Sequence, residues 1–490
     1  MSERFNSRMW REAVRLPRLR PMPRPSLTVV EGLRECPSCG LFQHLPPLAP
    51  GRAAECARCG QQLARRRRTS PIATPVAFCI ASAALYLSLL ISTLMLLDVS
   101  GRQNTVSLFT GPTQLFHEGY GEVGMLVGWV TVVTPGLVIA MMGAILYGAS
   151  RPAMPDWTPL VMRWYEATRE WSMIEVYILG VFVAYSKLVD LATVDLMPGV
   201  FLVSALMFTM AATDSTFDEE LVWRNRDIAD ETTDAAGRTL NVAHIHVRRD
   251  RTPPFAHMVS CPACALVLDF GREVPSTEVV GVCPRCQHEL RRRKPFSQSN
   301  TVSFLIAALI FYIPANLYPV MTYSKLGTPD ASTIIHGAIE LWEAQLYPLA
   351  LLVIFASIIV PVAKIFSLAY MVEATWRGQR RGLVLLTRIY RIVNFIGRWS
   401  MIDVFMISIL VAVVRFSYLA NITANFGCVC FAAVVILTIF AAHMFDPRSM
   451  WDAAGLNGGA SANGEDEQKR FSDGASSPVS AAASMESPPA

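Results

Sequence analysis

Long apolar runs separated by short polar stretches dominate the chain between residues 70 and 450. Eight runs fall at about 74–97, 123–149, 171–190, 199–213, 301–323, 345–372, 399–418 and 426–445. Most match the roughly 20 residues that a helix needs to cross a bilayer, and 199–213 is the short one. The pattern predicts an all-α polytopic membrane protein of about eight transmembrane helices in two modules of four.

The modules are copies of one another. WSMIEVYILG at 171–180 returns as WSMIDVFMIS at 399–408, an offset of 228 residues. Cys36 and Cys39 match Cys261 and Cys264, and Cys56 and Cys59 match Cys283 and Cys286. Pro135 matches Pro361, and Phe217, Asp218 and Trp223 match Phe445, Asp446 and Trp451. Features in one order at offsets of 225 to 228 mark a tandem repeat of a Cys-rich module and a membrane module. The expected layout is a structureless Arg/Pro-rich leader (1–33), ribbon one (34–66) and membrane module one (70–224). A linker (225–257), ribbon two (258–293), membrane module two (297–452) and a structureless tail (453–490) follow.

Charge orients the spans. Arg65 to Arg68 precede the first run, and Arg291, Arg292, Arg293 and Lys294 precede the fifth. Arg151, Arg163 and Arg169 lie between runs two and three, and six arginines from Arg377 to Arg398 lie between runs six and seven. The opposite loops hold only Arg102 and Lys325. The positive-inside rule then places both ribbons and both termini in the cytoplasm. This also explains the Arg runs without nucleic acid. With 52% hydrophobic and 17% charged residues, the composition excludes an ordinary soluble protein. No phosphate-binding Walker sequence occurs, so ATP is not expected, and no nucleophile–base pair suggests an enzyme.

The eight paired cysteines form CPSCG and CARCG with sixteen residues between them, then CPACA and CPRCQ with eighteen. Both fit a four-cysteine zinc ribbon. Four thiolates leave no coordination position open to water, so Cys36, Cys39, Cys56 and Cys59, and Cys261, Cys264, Cys283 and Cys286, predict two structural zinc sites. Thiol exchange or a rubredoxin-like iron is the competing chemistry.

Ionisable groups inside spans need a reason. Lys364 in run six lies about 12 Å from its cytoplasmic end, and Asp403 in run seven lies about 7 Å from its own. Ser400 shares a face with Asp403, and Thr438 in run eight lies at similar depth. These four predict a polar cluster, either a lining for a head group or a buried pair that fixes helix packing. The first copy differs: Glu175 replaces Asp403, Val138 stands for Lys364 and Met210 for Thr438. Lys187 and Asp190 form a separate pair near the far end of run three. Pro314, Asn316 and Pro319 in IPANLYPVM predict a broken or kinked fifth helix.

Two copies of ribbon plus four spans, with the PANxxPVM and WSMxD phrases, resemble the paraquat-inducible protein A family over roughly residues 34–450. The resemblance implies a bacterial inner-membrane protein in lipid traffic between the two membranes, with a partner whose MCE domains bridge the periplasm. It implies that Lys364, Ser400, Asp403 and Thr438 line or gate a lipid path, with Lys187 and Asp190 as the first copy's counterpart. A non-transporting membrane anchor and a zinc- or redox-responsive regulator are the alternative expectations.

Overall fold

The computed structural model describes residues 26–45, 48–66, 72–99, 102–151, 154–189, 193–224, 226–246, 253–325, 328–343, 345–413, 415–416 and 420–456. The described chain starts with strands β1 (Ser26–Glu31), β2 (Leu33–Glu35), β3 (Phe42–His44), β4 (Ala53–Glu55) and β5 (Gln62–Arg65). Helix α1 (Ala73–Ile91) leads to the hairpin of β6 (Thr93–Val99) and β7 (Arg102–Ser107), then α2 (Thr110–His117) and α3 (Gly121–Gly128). A π-helical turn, Trp129–Val133, joins α3 to α4 (Thr134–Ala149). Next come α5 (Thr158–Arg169), α6 (Ile174–Val189), β8 (Thr193–Leu196), α7 (Pro198–Thr216) and α8 (Glu219–Arg224).

Short strands β9 (Glu231–Thr233), β10 (Thr239–His246), β11 (Met258–Ser260), β12 (Val267–Asp269), β13 (Gly281–Val282) and β14 (Glu289–Leu290) precede the second copy. That copy repeats the first: α9 (Ser297–Leu317), β15 (Met321–Lys325), β16 (Thr328–Ser332), α10 (Ile334–Glu343) and α11 (Tyr347–Ile354). A second π turn, Phe355–Ile359, leads into α12 (Val360–Trp376). Helix α13 (Leu383–Ile396) runs through a 3₁₀ turn, Gly397–Met401, into α14 (Ile402–Val413). Strands β17 (Arg415–Phe416) and β18 (Ala420–Ala424) and helices α15 (Phe426–Met444) and α16 (Arg448–Ala453) complete it.

Both π turns end just before a proline, Pro135 or Pro361. Proline has no N–H and its ring crowds the carbonyl four residues back, so the helix widens there instead of keeping its regular ladder. In the first copy Thr131 and Thr134 hydroxyls donate to the Val127 and Val130 carbonyls at 2.8 and 2.9 Å.

Seven helical segments among the described residues are long and apolar enough to cross a membrane. The short run 199–213 is extended at both ends into the 19-residue α7. The run at 171–190 gives the difference from eight: α6 has 16 residues. Trp171–Met173 breaks the chain between α5 and α6, whereas its counterpart is continuous through the 3₁₀ turn. The chain is also not all-α. Sheets β7-β6-β8 and β16-β15-β18-β17 contain the strands that follow the C-terminal ends of α1 and α9. Run-length reading extends the helices over these strands because their residues are equally apolar, as in Leu94 and Met95, both buried.

The described chain forms two compact units. The smaller holds β1 and residues 228–292. Its sheet has the order β11-β12-β1-β10-β9, with β1 parallel to β10 from Ser26↔Asn241 to Glu31↔His246. Leu27 and Val29 alternate inward and are almost fully buried. Residues 26–33, expected in a structureless leader, and much of the expected 225–257 linker are therefore ordered strands. A parallel pairing between segments more than 200 residues apart leaves no local signal.

The larger unit holds the first ribbon and both helical modules. The two helices that carry the repeated WSMI phrase pack on each other there. A side chain at Gly180 of α6 would meet Phe405 Cβ of α14 at 2.9 Å, so glycine permits the approach. Tyr177 and Phe405 meet edge to face at 5.8 Å between ring centroids. The first ribbon shares one core with the second module: Cys36, Cys39, Cys56 and Cys59 cluster with Leu368, Met371, Leu386, Phe445 and Trp451.

Candidate functional site

The two cysteine centres are built from the same local turn. In each knuckle the residue after the second cysteine has positive φ: Gly40 (71°), Gly60 (69°), Ala265 (54°) and Gln287 (57°). That left-handed residue lets its N–H donate to the carbonyl of the first cysteine at 2.9 Å in all four turns. Glycine is free to do so, while Ala265 and Gln287 adopt a backbone that L residues disfavour. The sulfurs converge. Cys36–Cys59 and Cys39–Cys56 are each 3.5 Å apart, and Cys261–Cys286 and Cys264–Cys283 are 3.4 and 3.6 Å apart. A disulfide needs about 2.05 Å. Tetrahedral bonds of about 2.3 Å separate sulfurs by about 3.8 Å, so both sets fit a four-thiolate metal ion. All eight cysteines are buried.

The first centre is tied to the second module by charge. Glu35, beside Cys36, accepts from Arg293 Nη1 at 2.9 Å and Arg448 Nη1 at 3.2 Å. Arg293 also forks onto Asp452 at 2.5 and 3.0 Å. Arg448 forks onto Asp446 with both bonds at 3.0 Å. Burial pushes the Asp446 carboxyl up, but Arg448 and its hydrogen bonds, helped by Arg293, outweigh this and hold it below the ordinary range. Arg391 of α13 donates to the Cys59 carbonyl at 2.9 Å and Gln61 Oε1 at 3.0 Å. Thus α13 links the centre to the 3₁₀ turn that follows it.

That turn holds the polar site. The Lys364 side chain is 2% exposed. Its Nζ donates to the Gly397 carbonyl at 3.0 Å and to Thr438 Oγ1 at 3.4 Å. Thr438 donates onward to the Val435 carbonyl at 2.9 Å. Ser400 is fully buried, and its Oγ has no hydrogen-bond partner among the described residues. The structure therefore brings Lys364 and Thr438 together and places Ser400 on the same 3₁₀ turn as Gly397. Asp403 lies in the first turn of α14, but its side chain is outside the described residues, as are that of Lys187 and all of Asp190. Glu175, at the start of the WSMI helix in the first copy, is exposed.

The PANxxP phrase forms the end of α9. Pro314 sits inside the helix, Asn316 Nδ2 donates to the Tyr312 carbonyl at 2.8 Å, and Pro319 follows the helix end. Gly427 N–H donates to the Pro319 carbonyl at 3.2 Å, which locks the start of α15 against this end. The motif shapes a helix terminus, distinct from the Lys364 cluster.

Two site residues were not picked out from sequence. A Cβ at Gly397 would lie 2.6 Å from Lys364 Cε and 2.9 Å from Nζ. Glycine is therefore what lets the amine reach that carbonyl. The signal was present: Gly397 stands where the first copy has Arg169, just before the shared WSM phrase. Ser357, in the π turn that packs on the 3₁₀ turn, is fully buried with an unpartnered Oγ. Chemically, the site offers a desolvated amine and unpaired hydroxyls within apolar helices, a combination suited to a polar or anionic group.

The model of the family described as paraquat-inducible protein A matches residues 72–227 and 298–455. The chain belongs to the paraquat-inducible protein A family. The two matched stretches are the two helical modules. The chain is 29% identical to the intermembrane transport protein PqiA of Escherichia coli over 417 residues, covering 85% of this chain and 95% of that protein. It is 26% identical to lipophilic envelope-spanning tunnel protein A of Escherichia coli, covering 86% and 91%. It is 25% identical to a probable intermembrane transport protein of Haemophilus influenzae, covering 88% and 98%. No solved structure matches the chain. Family membership and the apolar helices make this a multi-pass membrane protein, and its relatives are transport proteins by name, not enzymes.

Proposed function

We propose that this chain is the inner-membrane component of an intermembrane lipid transport system. It passes lipid to or from a periplasm-spanning partner with MCE domains and thereby maintains the envelope barrier. Both ribbons and both termini lie in the cytoplasm, as the basic flanks require. The sheets at the opposite ends of α1 and α9 then face the periplasm. Each four-cysteine centre holds a structural zinc, whose thiolates close the coordination sphere. Neither ATP nor nucleic acid takes part.

The observation that carries this reading is Lys364, an amine buried among helices yet held by only a carbonyl and a hydroxyl within hydrogen-bond reach among the described contacts. Burying such a group is expensive, and a head group with phosphate oxygens would offset that cost. Asp403, Ser400 and Thr438 would line the same path. Replacing Lys364 with Ala should abolish lipid transfer and envelope-barrier function while the protein accumulates normally. Full function in that variant would overturn the reading. The non-transporting anchor draws support from the same hydrogen bonds, since Thr438 and Gly397 are internal partners. It predicts that Lys364→Ala destabilises the bundle while barrier function persists wherever the protein survives.

A further inference from the structure

The first module carries a lateral groove between two of its helices. Helices α1 and α4 touch closely in their ribbon-distal halves, where a Cβ at Gly136 would meet Tyr86 Oη at 2.9 Å. Tyr86 also donates to the Val132 carbonyl at 2.6 Å. Toward the ribbon end the two helices part. They leave an apolar groove of about 750 Å³ between Ile72, Cys79 and Ile80 on α1 and its approach and Gly143, Tyr147 and Ser150 on α4 and its end. That volume suits a ligand site. Ile80 is 65% and Tyr147 56% exposed, so the groove opens sideways from a helix long and apolar enough to cross a membrane.

The second copy places different side chains at the corresponding positions. An offset of 226 aligns Ile72 with Gln298, Cys79 with Leu305, Gly143 with Ala369 and Ser150 with Trp376. In the second copy Trp376 Nε1 donates to Gln298 Oε1 at 2.9 Å, so an indole bridges α12 and α9 across the same opening. In the first copy Ser150 Oγ turns back to the Tyr147 carbonyl at 2.8 Å. At Gly143 the nearest atom to an added Cβ is Cys79 Sγ at 3.8 Å, so that wall is left open. At the mouth, Arg151 hydrogen-bonds the Tyr147 hydroxyl and lies 4.7 Å over its ring. Tyr147 thus holds a cation at the end of an apolar slot.

We propose that the groove between α1 and α4 is a lateral binding site for one membrane phospholipid, an acyl chain in the slot and an anionic head group on Arg151. The inference rests on the transport reading above and adds where lipid joins the protein. An acyl chain is the occupant because the slot opens within the apolar length of two spanning helices. The head group is anionic because the Arg151 guanidinium stands at the mouth on Tyr147, and a guanidinium pairs phosphate oxygens in fork geometry.

The test uses the full chain purified from membranes of phosphatidylethanolamine with a minority of phosphatidylglycerol. Native mass spectrometry then counts the phospholipid retained. Wild type should keep a phospholipid enriched in phosphatidylglycerol. Ile72→Gln with Ser150→Trp transplants the second copy's bridge, and Gly143→Phe fills the slot. Each should cut retention about tenfold, and Arg151→Gln should keep lipid but lose the enrichment. Retention unchanged in both slot-filling variants, with thermal midpoints unchanged, would overturn the proposal. Lipid transfer is measured on the same preparations. No transfer by wild type would sink the transport reading alone, because the retention counts decide the groove independently.

Discussion

The two copies solve one fold with opposite interiors. The second puts Lys364, Gly397 and Thr438 inside the bundle, ties two flanking helices through Trp376 and Gln298, and takes the first ribbon into its core. The first has Val138 and Met210 at the Lys364 and Thr438 positions, an exposed Glu175, and an open flank. Duplication supplied two similar scaffolds, and a few side chains gave them different interiors. The cysteine centres diverge similarly: one is part of the membrane unit and the other belongs to a separate small β unit.

The largest contrast should come from the cysteines. With zinc bound, each centre supplies much of its module's folding free energy. Cys59→Ala should release the first metal and loosen α12 and α13, read as faster hydrogen exchange in both helices. Cys286→Ala should unfold its own β unit and leave exchange in α12 and α13 unchanged. Equal responses would break the distinction between the centres.

Next come the ion pairs. Arg293 and Glu35 have side chains only 6% and 4% exposed, whereas Arg34 and Glu220 are 26% and 47% exposed. Arg293→Ala leaves the buried Glu35 with Arg448 and takes the guanidinium fork from Asp452, and should cost about 1.5–3 kcal/mol. Arg34→Ala should cost no more than about 1 kcal/mol. Denaturant midpoints in detergent would check both.

Glycine substitutions sharpen the comparison further. Gly397→Ala drives a methyl into Lys364 and should cost about 1–3 kcal/mol. Gly143→Ala meets only ordinary contact and should leave the thermal midpoint unchanged.

The smallest effects are pH slopes of opposite sign. Asp446 in the second copy has a lowered carboxyl pKa, so its contribution is present above the ordinary carboxylate range and is lost as pH falls. Glu166 of α5 is pushed up from 4.5 to about 7 by burial, then by the nearby Glu219, against Arg169. Its folded form holds a proton that the unfolded chain gives up, so stability declines as pH rises from 4.5 to about 7. Glu166→Gln should flatten that slope in a pH series of thermal midpoints, while Asp446→Asn should remove the loss at low pH.

Much of this was legible from sequence because it is local or periodic. Cys-x-x-Cys spacing located the knuckles, and apolar runs located the helices. The repeat aligned Lys364 against Val138 before any contact was known. Strand β1 was not legible, since its partner β10 lies far along the chain and its Arg/Pro-rich surroundings suggest no core. Leu94 and Met95 read as helix because apolar length does not distinguish a buried hairpin from the end of a span. Gly397 could have been read: a glycine beside WSM in the copy that alone carries the lysine marks a close approach.

Ile407 of α14 is 1% exposed, so bulk lipid cannot reach it. A photocrosslinking residue placed there in cells should yield phospholipid adducts that disappear when Lys364 is replaced by Ala. Adducts only to neighbouring helices, with no lipid in the otherwise unaltered protein, would contradict a lipid path through the second bundle.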